Sequence, residues 1–419
     1  MKNVLVFPCG SEIGLEIGRS LEFSKDFNLY GASSVDDHGL FVYENYISKI
    51  PFVEDDNFID AICEVVKKYK IDFIFPAHDS VVLNLSQNQE RIGAIVVTSP
   101  FKTCKICRSK KDTYELFKNI IDTPIVFNIE DNLKFPIFLK PNIGQGSKGT
   151  FKANNIEEVR FSIRRDASLM LLEYLPGKEY TIDCFTNKEG VLLFAQGRER
   201  VRVSNGISVN SRLENNEIFL EIANKINSTL VFRGVWFFQL KERADGKLVL
   251  LEISPRVAGT MSLSRVRGVN LPLLSLYDLM DVNVSILLND FNIEIDRSLS
   301  AKYKMDISYK NVYIDFDDTL VLKNGNVNVS VIAFIYRCLN KNKSVFLITK
   351  HSGDIYKSLE YCKISKELFA EIIHIENDEH KFGFIKPESI FIDDSFSERN
   401  IVFKNLKIPV FDLDGMECL

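Results

Sequence analysis

Along the first hundred residues, short apolar runs alternate with stretches carrying an apolar residue every three or four positions. Val4 to Phe7 predicts a buried strand, and Ile13, Ile17 and Leu21 at i, i+4 and i+8 predict one face of a helix behind it. Phe27 to Tyr30 predicts a second strand. Phe58, Ile62 and Val65/Val66 mark an amphipathic helix over Asn57 to Tyr69. Ile71 to Phe75 and Ala94 to Thr98 predict two more strands, ended by Pro76 and Pro100. Strands alternating with helices imply a parallel sheet with right-handed crossovers.

The rhythm changes after Phe135. Short apolar strands are predicted at Ile137–Lys140, Leu169–Glu173, Tyr180–Phe185, Val191–Gln196, Val235–Lys241 and Leu248–Ile253, and Asn216 to Thr229 reads as a helix. A polar stretch, Asn289 to Lys310, follows a Leu-rich helix at Leu271–Met280 and predicts a boundary. The α/β alternation then returns, with strands at Val312–Phe316, Val345–Thr349, Ser389–Asp393 and Val410–Leu413. The expected class is an α/β and α+β multidomain chain. Its expected divisions are a Rossmann-like domain at 1–98, a mixed domain at 99–305 and a second Rossmann-like domain at 306–419, too short for a large cap.

Composition narrows the function. The chain has 419 residues, 46% hydrophobic and 26% charged, with a formal net charge of −5. That balance gives no general attraction to nucleic acid or to an anionic membrane. No apolar run approaches the length of a membrane span, and Met1–Phe7 is too short for a signal h-region, so a cytoplasmic enzyme is expected. Of eight cysteines, only Cys104 and Cys107 are close in sequence, and no second pair accompanies them to complete a zinc site; reduced thiols are expected. The Gly10–Gly14 turn lacks the full dinucleotide-binding spacing, and no acidic residue ends the second strand. A structural turn is the reading taken.

Two clusters carry chemistry. In the first, a strand ending in Lys140 leads into Pro141-Asn142-Ile143-Gly144-Gln145-Gly146-Ser147-Lys148-Gly149. Glycines let backbone N–H groups approach phosphate, with Lys140 and Lys148 supplying positive charge. Downstream stand Glu173-Tyr174-Leu175, Glu179, Gln239 and Leu251-Glu252-Ile253-Ser254-Pro255-Arg256. Carboxylate and amide oxygens suit Mg²⁺ held between phosphates, and Arg256 suits a transferring phosphoryl group.

In this order residues 1–300 resemble the ATP-grasp superfamily, especially its carbamoyl-phosphate-synthase-like and biotin-carboxylase-like ligases. The resemblance implies that Lys110 and Lys140 contact ATP phosphates under a loop containing Gly144, Gly146, Ser147 and Lys148. It implies that Glu173 and Leu175 hold the adenine edge, Glu179 the ribose, Gln239, Glu252 and Ser254 magnesium, and Arg256 the γ-phosphate and an acyl phosphate. ATP and Mg²⁺ (or Mn²⁺) are the expected cofactors. Ser254 departs from the usual Asn, and Ser109 from the usual Asp before the lysine, so Lys110 and Lys111 both stay open as the inward one. The implied reaction joins a small-molecule carboxylate to a nucleophile, often an amine. Arg198, Arg200 and Arg202 alternate along a strand; with Arg265 and Arg267 they either bind the substrate carboxylate or form a solvated basic face.

The second cluster begins with an apolar strand and Asp315-Phe316-Asp317-Asp318-Thr319-Leu320, continues with Thr349 at a strand end and Lys381 and Lys386, and closes on Asp393-Asp394. Two carboxylates two apart can divide the roles of nucleophile and proton donor beside one Mg²⁺. Residues 309–419 resemble the haloacid dehalogenase (HAD) superfamily. That implies Asp315 as nucleophile, Asp317 as general acid/base, Thr349 on the phosphoryl oxygen, Lys381 or Lys386 as the neutralising cation, and Asp315, Asp317, Asp393 and Asp394 around magnesium, acting on a phosphorylated small molecule. Together the two resemblances predict a bifunctional ligase–phosphatase. The alternative keeps the ligase, or a small-molecule kinase, and makes the C-terminal domain a docking module. A homodimer is compatible with either.

Overall fold

The computed structural model describes residues 1–375 and 379–419. They form two compact units, Met1–Leu299 and Ser300–Leu419.

The first unit begins with a five-stranded parallel sheet: β1 (Lys2–Phe7), β2 (Phe27–Ala32), β3 (Asn45–Ile47), β4 (Phe73–Pro76) and β5 (Ile95–Val96), in the order β3-β2-β1-β4-β5. The helix Glu12–Leu21 starts where Ser11 caps it, its hydroxyl accepting from Gly14 N–H at 3.0 Å. Gly14 itself allows the close approach of helix to strand, since a Cβ there would stand 2.5 Å from the Cys9 carbonyl oxygen. The Gly10 turn is filled by the Asp37 carboxylate, whose Cγ would lie 2.0 Å from an added Cβ. A negative charge in that turn disfavours a bound phosphate, which fits a structural turn.

Two antiparallel sheets follow. A four-stranded sheet holds β6 (Val126–Phe127), β7 (Ile137–Pro141), β8 (Phe151–Ala153) and β9 (Leu169–Glu173), in the order β6-β9-β7-β8. A six-stranded sheet holds β10 (Glu179–Thr186), β11 (Leu192–Ser204), β12 (Ile207–Glu214), β13 (Gly234–Glu242), β14 (Leu248–Ser254) and β15 (Glu294–Asp296), in the order β14-β13-β10-β11-β12-β15. The helix Glu217–Thr229 buries Phe219, Ile222, Ala223 and Ile226 in a core with Ile182, Trp236, Phe238 and Leu250. Another core joins Val4, Val6 and Phe75 to Phe185, Val235, Phe237 and Leu271. This shared core makes residues 1–98 and the following domain one unit. The polar stretch Asn289–Lys310 is not wholly linker: Glu294–Asp296 adds to the edge of β12, an addition that backbone hydrogen bonding can drive without apolar patterning.

The second unit is a parallel sheet of β16 (Asn311–Ile314), β17 (Ser344–Thr349), β18 (Glu371–His374), β19 (Ser389–Ile392) and β20 (Val410–Phe411), in the order β18-β17-β16-β19-β20. Both faces are covered. Val312 and Ile314 pack with the helix Val329–Asn340 on one side, and Tyr313, Phe346 and Phe391 with Val402 on the other. Between Asp318 and that first helix the chain makes only a tight turn, Val321 bridging to Val327. No helix among the described residues is long and apolar enough to cross a membrane, and all eight cysteines are free.

Candidate active sites

The two antiparallel sheets of the first unit close on a cleft of about 170 Å³. It is lined by Lys140 of β7, Glu173 of β9, Glu179 of β10, Arg200 of β11, Gln239 of β13 and Glu252 of β14, with Lys110, Leu175 and the Gly144–Lys148 loop. Residues spread over more than a hundred positions of sequence meet there because each strand delivers one side chain to the same face.

Lys110 rather than Lys111 points inward: Lys110 is buried and its Nζ donates to the Gly144 carbonyl at 3.2 Å, while Lys111 is exposed. Lys140 is buried, its Nζ 5.4 Å from the centre of the Tyr114 ring. Burial, helped by the charge of Lys110, pulls the Lys140 ammonium down to about 8. Among the described residues neither lysine has a carboxylate in ion-pair contact, an arrangement that suits a polyanion. Phe138, Leu172, Leu175 and Leu251 give the other end of the cleft an apolar lining fit for a purine ring. Among the described residues no protein hydrogen bond uses the Leu175 N–H. The Glu173 carboxylate is gripped by Arg243 at 3.0 and 2.7 Å, and the Glu173 N–H donates to the Ile125 carbonyl at 3.0 Å, so both are already engaged within the protein. Glu179 contacts Arg200 and lies 3.4 Å from Lys241 Nζ.

Gln239 and Glu252 sit directly opposite each other across β13 and β14. Glu252 makes no ion pair among the described residues. One amide and one carboxylate oxygen, completed by phosphate oxygens and water, fit Mg²⁺, which keeps much of its own shell. Ser254 does not join them. Its hydroxyl donates to Asp79 Oδ1 at 2.8 Å. Asp79, from the helix after β4, also binds Arg256 through Nε and Nη2, both at 2.7 Å. Burial alone would raise the Asp79 carboxyl, but Arg256 and Ser254 outweigh it and hold the carboxylate ionised. Arg256 therefore lies beside a second cleft, next to the first, with its fork already occupied.

The arginine row does not act as one face. A register shift between Arg200 and Arg202 breaks the alternation. Arg198 is buried against Asp183 at 3.0 and 2.8 Å, Arg200 faces the cleft, and Arg202 is exposed beside Asp296. Arg265 pairs with the buried Glu16 and Arg267 with Asp290. Carboxylates remote in sequence neutralise these cations, which strand periodicity cannot reveal.

In the second unit, β16 lies between β17 and β19, so Asp315, Thr349 and Asp393 come together at neighbouring strand ends. Lys381 Nζ bridges Asp315 Oδ1 at 2.6 Å and Asp393 Oδ2 at 2.7 Å, all three buried. Lys386 is instead exposed, over the Phe346 ring. Burial pushes the Asp315 carboxyl up to about 7, against the pull of Lys381. Oxygens of Asp315, Asp393 and Asp394 lie within 4.8 Å of one another and can hold a divalent ion. Asp317 stands outside that group. It is half exposed, and both its oxygens contact His351 Nδ1, at 2.9 and 3.0 Å. In this structure its carboxylate is engaged by His351 and is not among the three that gather beside Lys381. Thr349 is buried, its hydroxyl accepting from His351 N–H at 3.1 Å. Sequence reading missed Asp79, Lys241 and His351; none sits in a recurring spacing.

The four-stranded and the six-stranded antiparallel sheets close on a cleft lined by lysines and glycines, and part of the chain matches an ATP-grasp family model. Residues 165–295 match the family described as "ATP-grasp in the biosynthetic pathway with Ter operon". The chain is 28% identical over 233 residues to a D-alanine–D-alanine ligase of Petrotoga mobilis, across 50% of this chain and 76% of the relative. Among solved structures it is similar to the biotin carboxylase domain dimer of Hydrogenobacter thermophilus 2-oxoglutarate carboxylase in complex with MgADP, ADP and bicarbonate. The TM-score is 0.58 at 14% identity, over 68% of this chain and 70% of that one. It is likewise similar to an L-amino acid ligase from Bacillus licheniformis, with a TM-score of 0.55 at 17% identity, over 67% and 74%.

Proposed function

We propose that the first unit is an ATP-dependent carboxylate–amine ligase using ATP and Mg²⁺. The observation that carries this is one cleft lined by two buried lysines, Lys110 and Lys140, and by Glu252, which has no ion pair among the described residues and lies opposite Gln239. Lys110 and Lys140 bind and orient the phosphates, and the Gly144–Lys148 loop covers them. Glu252 and Gln239 hold Mg²⁺, which when bound neutralises charge on the phosphates. Phosphoryl transfer needs little besides this positioning and charge neutralisation. The substrate carboxylate takes the γ-phosphoryl group, and an amine then displaces phosphate. The test is mass spectrometry of products from a carboxylate-plus-amine library with MgATP. ADP with a new amide is the expected result; nucleotide binding without turnover across the whole library counts against it.

For the second unit we infer a magnesium-dependent HAD-type phosphatase. Supporting it is Lys381 between Asp315 and Asp393 at adjacent parallel strand ends. Asp315 Oδ attacks phosphorus, the ester oxygen leaves with its electron pair, and Asp317 supplies the proton. Hydrolysis of a phosphate-ester panel by the wild type, lost in Asp315→Asn, tests this reading; a panel without turnover favours the docking role.

A further inference from the structure

In the second unit, His351 is fixed at both ring nitrogens and at both main-chain groups. It lies two residues past the end of β17. Nδ1 faces both oxygens of Asp317, at 2.9 and 3.0 Å. Nε2 lies 2.8 Å from the hydroxyl of Ser358, on the short helix Ile355–Tyr361. The His351 N–H donates to Thr349 Oγ1 at 3.1 Å, and its carbonyl accepts from Nε2 of His374, the last residue of β18, at 2.7 Å. The Phe316 ring meets the imidazole edge to face, with ring centres 5.0 Å apart. Gly353 leaves the Nε2 side room, since a Cβ there would stand 3.2 Å from that nitrogen.

The two side chains differ in how much order they would have alone. The imidazole is 17% exposed and the Asp317 side chain 53%. A carboxylate that open ordinarily spreads over several rotamers. Here one boxed-in ring meets both of its oxygens. The ring can do so for either form of the carboxyl group. With Asp317 ionised, Nδ1–H donates to it and Nε2 accepts from the Ser358 hydroxyl. With Asp317 protonated, its O–H donates to Nδ1, and Nε2–H donates to Ser358 Oγ. A hydroxyl serves as donor or acceptor, so neither arrangement leaves a group of this chain without a partner.

We propose that His351 is a positioning residue for Asp317, backed by Ser358, and that the site so equipped acts on the phosphate monoester of an aliphatic alcohol. The proposal rests on the phosphatase reading of this unit. An alkoxide is a poor leaving group, and its oxygen needs a proton as the P–O bond breaks. A nitrophenolate leaves without one. A proton donor held in one direction therefore matters for the first kind of ester and little for the second. As Asp315 Oδ bonds to phosphorus, the ester oxygen leaves with the P–O electron pair and takes the Asp317 proton. In the second half, water attacks phosphorus and gives a proton to the Asp317 carboxylate. The electron pair of the bond between Asp315 and phosphorus returns to Asp315. Asp317 passes through both of its forms in each turnover, and the ring between Asp317 and Ser358 accommodates both.

Steady-state rates of the full chain with Mg²⁺ on alkyl phosphates (glycerol phosphate and hexose phosphates) and on nitrophenyl phosphate make the test. His351→Ala should lower kcat for the alkyl esters about 10²-fold and for nitrophenyl phosphate about threefold or less, with KM little changed. His351→Asn, whose amide N–H can stand in for Nδ1–H, should recover about tenfold of the loss on the alkyl esters. Asp317→Ala should show the same dependence on leaving group. The double variant of Asp317→Ala and His351→Ala should lose no more than Asp317→Ala alone, because nothing is left to position. Thermal melting of each variant reports folding. Should His351→Ala fail to fold, Ser358→Ala carries the same comparison, with a loss of about tenfold on the alkyl esters. Equal losses on both kinds of ester, or additive losses in the double variant, sink the proposal and leave the phosphatase reading standing. Faster alkyl turnover in His351→Ala would mean that the contact withholds Asp317, and a wild type that hydrolyses only the nitrophenyl ester would refute the substrate class; either overturns the proposal. A wild type that hydrolyses none of these esters counts against the phosphatase reading, and the proposal falls with it.

Discussion

Asp79 and Arg256, 177 residues apart in the chain, form a two-pronged ion pair, with Nε to Oδ1 and Nη2 to Oδ2 both at 2.7 Å. The pair ties the helix after β4 to the end of β14. Both side chains are largely buried, so removing one partner strands the other in a poorly solvated place. Asp79→Ala should therefore destabilise the first unit by about 3–5 kcal/mol. Asp79→Asn keeps an acceptor for both Ser254 and Arg256 and should cost less. Thermal or urea unfolding checks this, and equal stability of the alanine variant and wild type would remove the pair from the account.

Lys140 illustrates a site held against stability. Its ammonium lies near 8 in the folded chain, below the ordinary lysine value of 10.5. Between those values the folded state binds fewer protons than the unfolded state, so stability rises with pH across that window. Below pH 8 the full cost applies, about 3 kcal/mol. Lys140→Met keeps the length and removes the charge. It should raise the melting temperature at pH 7 by several degrees while abolishing MgADP binding. An unchanged affinity would show that Lys140 does not meet phosphate.

The same arithmetic applies in the second unit with the opposite sign. Asp315 is pushed up to about 7, so the folded chain holds more protons than the unfolded chain from about pH 4 to 7. Its contribution to stability falls as pH rises through that range. Asp315→Asn leaves Lys381 paired with Asp393 and removes a buried charge. It should eliminate hydrolysis of a phosphate ester, leave ATP-dependent turnover near wild type, and hold or raise the melting temperature at pH 7. Loss of ATP-dependent turnover as well would mean that the two units share a step.

Much of this architecture can be read from the chain because the signals are local. The runs Val4–Phe7 and Val312–Phe316 are strands since their buried positions are continuous, and the glycines after Lys140 mark a loop whatever lies around them. What escaped is what depends on partners. Ser254 stands two places after Glu252, and the partner of its hydroxyl is Asp79, from the helix after β4. Arg198 and Arg202 look alike by alternation, yet one is buried against Asp183 and the other is at the surface. Asp317 looks equivalent to Asp315, but a backbone turn separates their carboxylates. Glu294–Asp296 has no apolar pattern and becomes a strand through pairing alone. Sequence periodicity states which face a residue occupies; it does not state which charge waits on the other side.

The opposed pair Gln239 and Glu252 gives the sharpest test of the metal reading. They are cross-strand partners that differ by one charge, and on the proposed reading both oxygens would face one ion. Glu252→Gln removes that charge with little change of shape. It should raise the Mg²⁺ concentration needed for half-maximal turnover and lower kcat roughly 10²-fold or more, as expected for loss of an electrostatic contact to developing charge. Gln239→Glu adds a charge instead. Without metal, two carboxylates face each other and the chain should lose about 1 kcal/mol or less, softened by the nearby Arg200 and Lys241. With MgADP the second carboxylate should bind Mg²⁺ more tightly, so the stabilisation by ligand should exceed that of wild type. A thermal-shift series in MgADP, run on both variants, reads the two effects together. If Gln239→Glu loses stability without gaining any response to Mg²⁺, the ion does not sit between these two strands.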